Sequence, residues 1–376
     1  MNTYPIDPQY YQRQLDEKIL RLQHQLCTQL ATVNITTTLP AMAVYPSAPL
    51  HYRMRAEFRI WHKDDRAYYA MHSPGADKRP SIIDNFVIAA KSIHRLMPKV
   101  LAAVNSRPVL RTRLFQVEFL STLKGDTLVS FIYHKPLDEH WIDNIQSLKT
   151  ALGIQIIGRS RRQKITLDKD YVTEHFNIAD AGYYEYQQVE GAFTQPNAGI
   201  NIKMIEWVLK HSRYQQGDLL ELYCGNGNFT LPLAGHFNRV LATEISKSAV
   251  KSANHNIQRN KITNITVVRM SSEEFSLAMD KVRPFRRLRH IDLNDYSFST
   301  VLVDPPRAGL DGHTLAIVKR LNTIIYISCN PTTLIKNLQS LCTSHRITAI
   351  AAFDQFPYTD HLEVGVILNR SAEPDQ

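Results

Sequence analysis

The chain has 376 residues, 44% of them hydrophobic, which is enough for a sizeable core and, at roughly 100–200 residues per domain, for about two domains. Its 44 Lys and Arg against 35 Asp and Glu leave a formal charge of +9, which points to a polyanionic partner, nucleic acid before a membrane surface. No apolar run approaches the ~20 residues that cross a bilayer. No basic-then-apolar leader opens the chain, and Cys27, Cys224, Cys329 and Cys342 nowhere form C-x-x-C. These features argue against a membrane protein, a disulfide scaffold, structural zinc or an iron–sulfur cluster, and they fit a reducing cytoplasm.

The first expected element is a helix, since Leu15, Ile19, Leu22, Leu26 and Leu30 recur at helical spacing after Asp7-Pro8. In RMRAEFRIWH (53–62), Met54, Ala56, Phe58 and Ile60 alternate with Arg53, Arg55, Glu57 and Arg59, a strand with one apolar and one mostly basic face. LFQVEFLSTL and DTLVSFIYH flank Lys124-Gly125-Asp126 and predict a β-hairpin. GIQIIGRSRRQKITL reads as another strand pair, carrying Arg159, Arg161, Arg162 and Lys164. Residues 1–182 are thus expected to form an α+β domain with basic strand faces.

From Tyr183 the pattern becomes an alternation of helix and strand, which implies a mostly parallel doubly wound sheet over residues 183–376. NAGINIKMIEWVLKH is a helix, DLLELYC the first strand, and NFTLPLAGHF a helix after a Gly-rich turn. RVLATEI, NITVVRM, STVLVDPP and TIIYISCNP are further strands. HRITAIAAFDQF and HLEVGVIL form a final pair that would make an antiparallel edge, and RPFRRLRHIDLNDYS reads as an exposed insertion.

Chemistry-bearing residues gather at the carboxyl ends of these strands. Gly225 and Gly227 permit a tight turn and close ligand approach, and Glu244 ends the next strand, where an acid accepts bonds from ribose hydroxyls. The turn lacks the third glycine of the dinucleotide fingerprint and the Lys-Ser/Thr of a P-loop, so a ribose ligand without phosphate fits, S-adenosylmethionine being one. Asp304 precedes two prolines and projects from the sheet edge, or else is a solvated loop acid. Cys329 is either a small buried hydrophobe or a nucleophile beside that edge. Glu363, entering an apolar strand, is either an exposed edge residue or a desolvated general base.

The segments FTQPN (193–197), LLELYCGNGNF (219–229), ATEIS (242–246), VDPPRAGL (303–310), YISCNP (326–331) and FDQFPYTDHLEVGV (353–366) together resemble the RNA uracil-5 (m5U) methyltransferases. HYRMRAEFRIWH (51–62), LFQVEF (114–119) and IIGRS (156–160) extend the resemblance over nearly the whole chain, closest to the tRNA (uracil-5-)-methyltransferase branch. The chain has neither the cysteine cluster nor a recognisable TRAM domain of the ribosomal-RNA relatives. The resemblance implies a Rossmann-like S-adenosylmethionine-dependent domain after an RNA-binding domain, acting on the T-loop uridine of tRNA. RNAs with a T-arm-like loop, such as tmRNA, become further candidates, and nothing points to an obligate protein partner. It implies Cys329 as nucleophile and Glu363 as proton acceptor, and Gln195, Tyr223, Asn228, Glu244 and Asp304 at the cofactor. Phe115 would stack in the RNA loop with Arg59 nearby, and no metal is required. Three rivals differ at named residues. An exocyclic-amine methyltransferase needs no Cys329, a cytosine-5 enzyme places a cysteine in the fourth-strand loop, and a noncatalytic RNA binder tolerates loss of both Cys329 and Glu363.

Overall fold

A computed structural model of the protein describes residues 6–31, 39–71, 80–213 and 217–371, so the first five residues, part of the leader expectation, lie outside it. The opening helix spans Tyr11–Ala31, and its stripe of Tyr11, Leu15, Ile19, Leu22, Leu26 and Leu30 is buried. That stripe joins a core with Leu220, Val301, Ile324, Tyr326 and Val366, which lie on C-terminal strands. A short strand, β1 (Met42–Tyr45), follows.

The chain folds as two units, one of Met1–Gln9, Ala48–His175 and Tyr186–Ala198, the other of Tyr10–Ser47, Phe176–Glu185 and Gly199–Gln376. A single boundary after residue 182 therefore does not describe it. The opening helix belongs with the C-terminal half because that is where its apolar stripe is buried.

The first unit is built on a sheet of β2 (Arg55–Lys63), β3 (Arg66–Met71), β4 (Ser81–Ile82), β5 (Leu114–Ser121), β6 (Thr127–Tyr133), β7 (Gln155–Ser160) and β8 (Gln163–Thr166). Their order is β4-β3-β2-β5-β6-β7-β8. The expected hairpin is β5/β6, and Gly125 supplies its turn with φ 87°. β6 and β7 are parallel, as the crossover helix Glu139–Leu152 requires. The Asp138 side chain caps that helix by accepting from the Trp141 amide at 2.9 Å, and Gly153 ends it in the left-handed region. β9 (Tyr171–Ile178) and β10 (Gly182–Val189) then pair with each other.

The second unit contains β11 (Asp218–Leu222), β12 (Val240–Thr243), β13 (Ile265–Val268), β14 (Phe298–Val303), β15 (Thr323–Ser328), β16 (His345–Phe353) and β17 (Glu363–Arg370). With β1 they form one sheet in the order β1-β16-β17-β15-β14-β11-β12-β13. β11 to β15 are parallel, and their almost wholly apolar sequences match burial on both faces. β17 alone runs against its neighbours β15 and β16. The outermost place beside them is taken by β1, parallel to β16, so the antiparallel strand is interior rather than terminal.

Two further expectations change in detail. The helix expected over 228–237 is a single turn, Thr230–Leu233, with a 3-10 turn to His236, because Pro232 and Gly235 interrupt it. The insertion 283–297 is anchored, not merely exposed. Phe285, Leu288, Ile291, Leu293 and Tyr296 pack against the core, and the Arg239 guanidinium lies 4.5 Å from the centre of the Tyr296 ring.

Candidate active site

The loop after β11 follows a left-handed path through Tyr223 (φ 65°), Gly225 (57°) and Gly227 (88°). Gly227 is favoured by its φ, which strains any other residue, and a Cβ there would also press on the Leu231 side chain, 2.5 Å from its Cδ1. A Cβ on Gly225 would meet nothing within 4 Å, so the loop leaves an open cradle at that point. Glu244 follows β12 and braces the cradle, one oxygen accepting from the Gly225 amide at 3.1 Å and the other from the Ser246 amide at 2.7 Å. The Tyr223 hydroxyl lies 2.5 Å from Ser272 Oγ, and Asn228 exchanges two hydrogen bonds with Asn201, at 2.7 and 2.8 Å.

Sequence reasoning missed Glu221. It lies fully buried near the end of β11, and its Oε2 has no hydrogen-bond partner among the described residues. Burial pushes its carboxyl up to about 8, with the Asp304 charge adding to the rise. The signal was a lone acid inside LLELY. An open cradle, a carboxylate at the ribose position and an orphaned buried carboxyl oxygen suit a nucleoside–amino acid ligand such as S-adenosylmethionine. Glu244→Ala is expected to weaken binding of that ligand by about 1.5–3 kcal/mol, because a charged acceptor is lost and the Gly225 amide loses its brace. Calorimetry would read the change, and unchanged affinity in the folded variant would remove Glu244 from the pocket.

Three strands further along, the reacting groups come together. β14 delivers Asp304, and the loop after it is pinned to β15 by buried Asn337. Asn337 Oδ1 accepts from the Leu310 amide at 2.9 Å and the Tyr326 hydroxyl at 2.8 Å, while its Nδ2 donates to the Leu310 carbonyl at 3.2 Å. The Arg307 carbonyl accepts from Asn330 Nδ2 at 2.9 Å and Thr333 Oγ1 at 3.1 Å.

On the other side of β15, Ser328 stands opposite Val364 of β17. Cys329 is the first residue after β15 and Glu363 the residue before Val364 at the start of β17, so both stand at the same end of this strand pair, with the Glu363 charge acting on the thiol. Glu363 also faces Phe353 across β16 and is 3% exposed, so it is not an edge-strand surface acid. Cys329 is half-buried and lines a pocket of about 290 Å³ with Arg21, Gln25, Arg307, Thr332 and His361. Arg21 and Gln25 come from the opening helix, which sequence reasoning had left without a functional part.

The electrostatics of this cluster run in one direction. Burial holds the Glu363 carboxyl well above the usual range, Asp304 raises it further, and Arg307 opposes the rise. Asp304 is pushed up to about 7 by burial. The Cys329 thiol is raised by burial, then by Glu363 and Asp304, against the pull of Arg307. A carboxyl raised in this way binds a proton more tightly than an ordinary glutamate, which suits a group that accepts a proton once ionised. Cys224 is a different case: it is buried within the glycine loop, and burial raises its thiol far above the usual value.

Phe115, Arg59 and Gln195 belong to the first unit. Phe115 lies on β5, between β2 and β6 in the sheet. The Arg59 guanidinium from β2 is 4.0 Å from the ring centre, and His134, just after β6, stacks on the ring at 4.1 Å between centroids. His134 carried no pattern that sequence reasoning could use. Gln195 is half-buried on a segment laid against the start of β2, where the Met54 amide donates to the Pro196 carbonyl at 2.7 Å. Arg159 is committed to Glu190 by two hydrogen bonds, of 2.6 and 2.5 Å, whereas Arg161 and Arg162 are exposed. Among the described residues no group of His, Cys, Asp and Glu could hold a metal ion, and no helix is long and apolar enough to cross a membrane.

The family model described as tRNA (Uracil-5-)-methyltransferase matches residues 10–371. The chain is 53% identical over 360 residues to the tRNA/tmRNA (uracil-C(5))-methyltransferase of Cellvibrio japonicus, covering 96% of each chain. It is 56% identical over 328 residues to the protein of the same name from Teredinibacter turnerae, covering 87% of this chain and 90% of that one. Its fold is similar to that of the Pyrococcus abyssi tRNA (uracil-54, C5)-methyltransferase in complex with S-adenosyl-L-homocysteine, with a TM-score of 0.70 and 20% identity over 95% of this chain and 83% of that one. With a match that runs from the opening helix to the last strand, and relatives more than half identical, the chain belongs to the tRNA (uracil-5-)-methyltransferase family.

Proposed function

We propose that the protein transfers a methyl group from S-adenosylmethionine to carbon 5 of the T-loop uridine of tRNA, through a covalent adduct between Cys329 and carbon 6. The observation that carries this reading is that the end of β15 and the start of β17 bring the half-buried Cys329 thiol and the buried Glu363 carboxyl within electrostatic reach of each other and of Asp304 and Arg307. The names of the relatives support tRNA as substrate and tmRNA as a second one.

Carbon 5 of uracil is a weak nucleophile. The Cys329 thiol first loses its proton to solvent, and the positive charge of Arg307 favours the thiolate that results. A sulfur lone pair then forms the bond to carbon 6, and the electrons of the ring double bond move to oxygen 4 as an enolate. When bound, S-adenosylmethionine would supply an electrophilic methyl group, its sulfonium leaving as a neutral thioether when the sulfur–methyl bond breaks. The enolate returns its electrons through carbon 5, which takes that methyl group. Glu363 removes the proton left on carbon 5, the double bond re-forms, and the thiolate is expelled. Asp304 and Glu244 act at the cofactor side. Tyr223 and Asn228 serve through the shape of the loop, since their side chains engage Ser272 and Asn201.

In this reading the first unit binds RNA and the second carries the chemistry, in the cytoplasm and with no obligate protein partner. The target base leaves its stack to reach Cys329, and the Arg59–Phe115 pair supplies a stacking surface for the opened loop. Phe115→Ala should weaken productive RNA binding by about 1–3 kcal/mol, read as a raised Kd for a T-arm RNA. Parent-level binding and turnover would confine Phe115 to packing. The reading as a whole is tested by mass mapping of tRNA after reaction with methyl-labelled S-adenosylmethionine. Label on carbon 5 of the T-loop uridine is expected, whereas label on an exocyclic amine or on cytosine would reject the proposal.

A further inference from the structure

We propose that Lys18, on the opening helix, is a positioning residue for Glu363; the inference rests on the reading of Glu363 as the base. Lys18 falls within the helix's apolar stripe and is only 6% exposed, a place where an ammonium is costly unless fully engaged. Its Nζ donates to Asp354 Oδ1 at 2.5 Å, to the Phe356 carbonyl at 3.3 Å and to the His361 carbonyl at 3.3 Å. Those acceptors begin at the first residue after β16 and end two residues before Glu363, so one buried cation gathers the whole connection that leads into the base.

Neighbouring helix residues act on the same connection. Arg21 pairs with Asp360 at 3.0 Å, and the Tyr11 and Tyr358 rings lie 5.9 Å apart. The ammonium has three donors, and after Asp354 the other two go to carbonyls of the connection, so satisfying the buried charge also fixes that connection. Glu363 opens β17, so its aim depends on the ladder with β15 and β16 on one side and on this connection on the other. Proton removal from carbon 5 tolerates little misplacement, whereas Cys329 is held independently by β15 and the helix Pro331–Leu341. Loosening the connection should therefore slow the base step while adduct formation and methyl transfer continue.

The test replaces the buried pair with apolar groups, Lys18→Met with Asp354→Leu, a change that often preserves stability. Lys18→Gln is the milder variant and Lys18→Arg the conservative one, and Glu363→Gln is run in parallel. Each is scored for melting temperature, for kcat and KM with T-arm RNA, and for covalent protein–RNA adduct on denaturing gels. In the folded pair variant and in Lys18→Gln, kcat should fall about tenfold or more, KM should fall with it so that kcat/KM changes less than about twofold, and adduct should accumulate; Lys18→Arg should restore most turnover. Parent-level turnover, or slow turnover without adduct, would overturn the proposal if Glu363→Gln accumulates adduct. Failure of both Lys18→Gln and the pair variant to fold would likewise overturn it, leaving Lys18 a purely structural role. If Glu363→Gln itself accumulates no adduct, the fault lies in the assignment of the base.

Discussion

Cys329→Ala is expected to abolish methylation and to leave no RNA covalently attached. Without sulfur at this position no carbon-6 adduct forms and carbon 5 stays unreactive, so the rate should drop by about 10⁴-fold or more, as when other covalent nucleophiles are removed. Cys329→Ser should be nearly as inactive, because a hydroxyl is far harder to deprotonate in a site whose acids already raise the thiol. Folding should survive, since the half-buried side chain loses only one atom. Single-turnover assays with labelled S-adenosylmethionine decide the matter. Uridine methylation by the alanine variant would exclude Cys329 as the nucleophile and favour chemistry that needs no adduct.

Glu363→Gln should fail at a later step. The thiol remains, carbon 5 is methylated, and the remaining proton has no acceptor, so methylated RNA stays bonded to Cys329. A slow band on denaturing gels should appear for this variant and be missing in the double variant with Cys329→Ala. Normal turnover would make Glu363 a structural acid. Two pH effects accompany the prediction. The base must be ionised, so the parent's rate should rise with pH through a limb above the ordinary glutamate range, the direction in which burial and Asp304 push Glu363. The same raised value makes ionised Glu363 a liability in the folded state, absent below the ordinary carboxylate range and growing as pH rises above it. Glu363→Gln should therefore melt higher than the parent at neutral pH, with the gain fading in acid.

Much of the second unit was legible because β11, β14 and β15 are mostly apolar runs that lead into Gly225, Asp304 and Cys329, and a parallel sheet aligns such ends. The pairing of Cys329 with Glu363 was not legible as geometry. It depends on which strand β17 joins and in what register, a long-range choice that alternation alone does not encode. For the same reason the burial of Glu363 could not be separated from exposure at a sheet edge. The stripe from Leu15 to Leu30 announced that one helix face is buried, but not against what, so nothing in the pattern singled out Lys18 or Arg21. Glu221 stood out within its strand, yet an acid in an apolar run acquires meaning only once its unpartnered oxygen is located.

The edge formed by β1 and β16 has a consequence for how the protein is made. Met42 to Tyr45 pair with Ile350 to Phe353, and the opening helix bonds the helix Pro331–Leu341 through Gln339 and the Gln29 carbonyl. A ribosome therefore releases the opening helix and β1 long before their partners exist, while much of the first unit follows as one continuous stretch and can begin to fold during synthesis. The opening helix carries its apolar stripe unburied until the last strands leave the exit tunnel. Glu363 begins β17, the last strand in chain order among the described residues, so Cys329 and Glu363 can meet only after β17 has been made, well after β15.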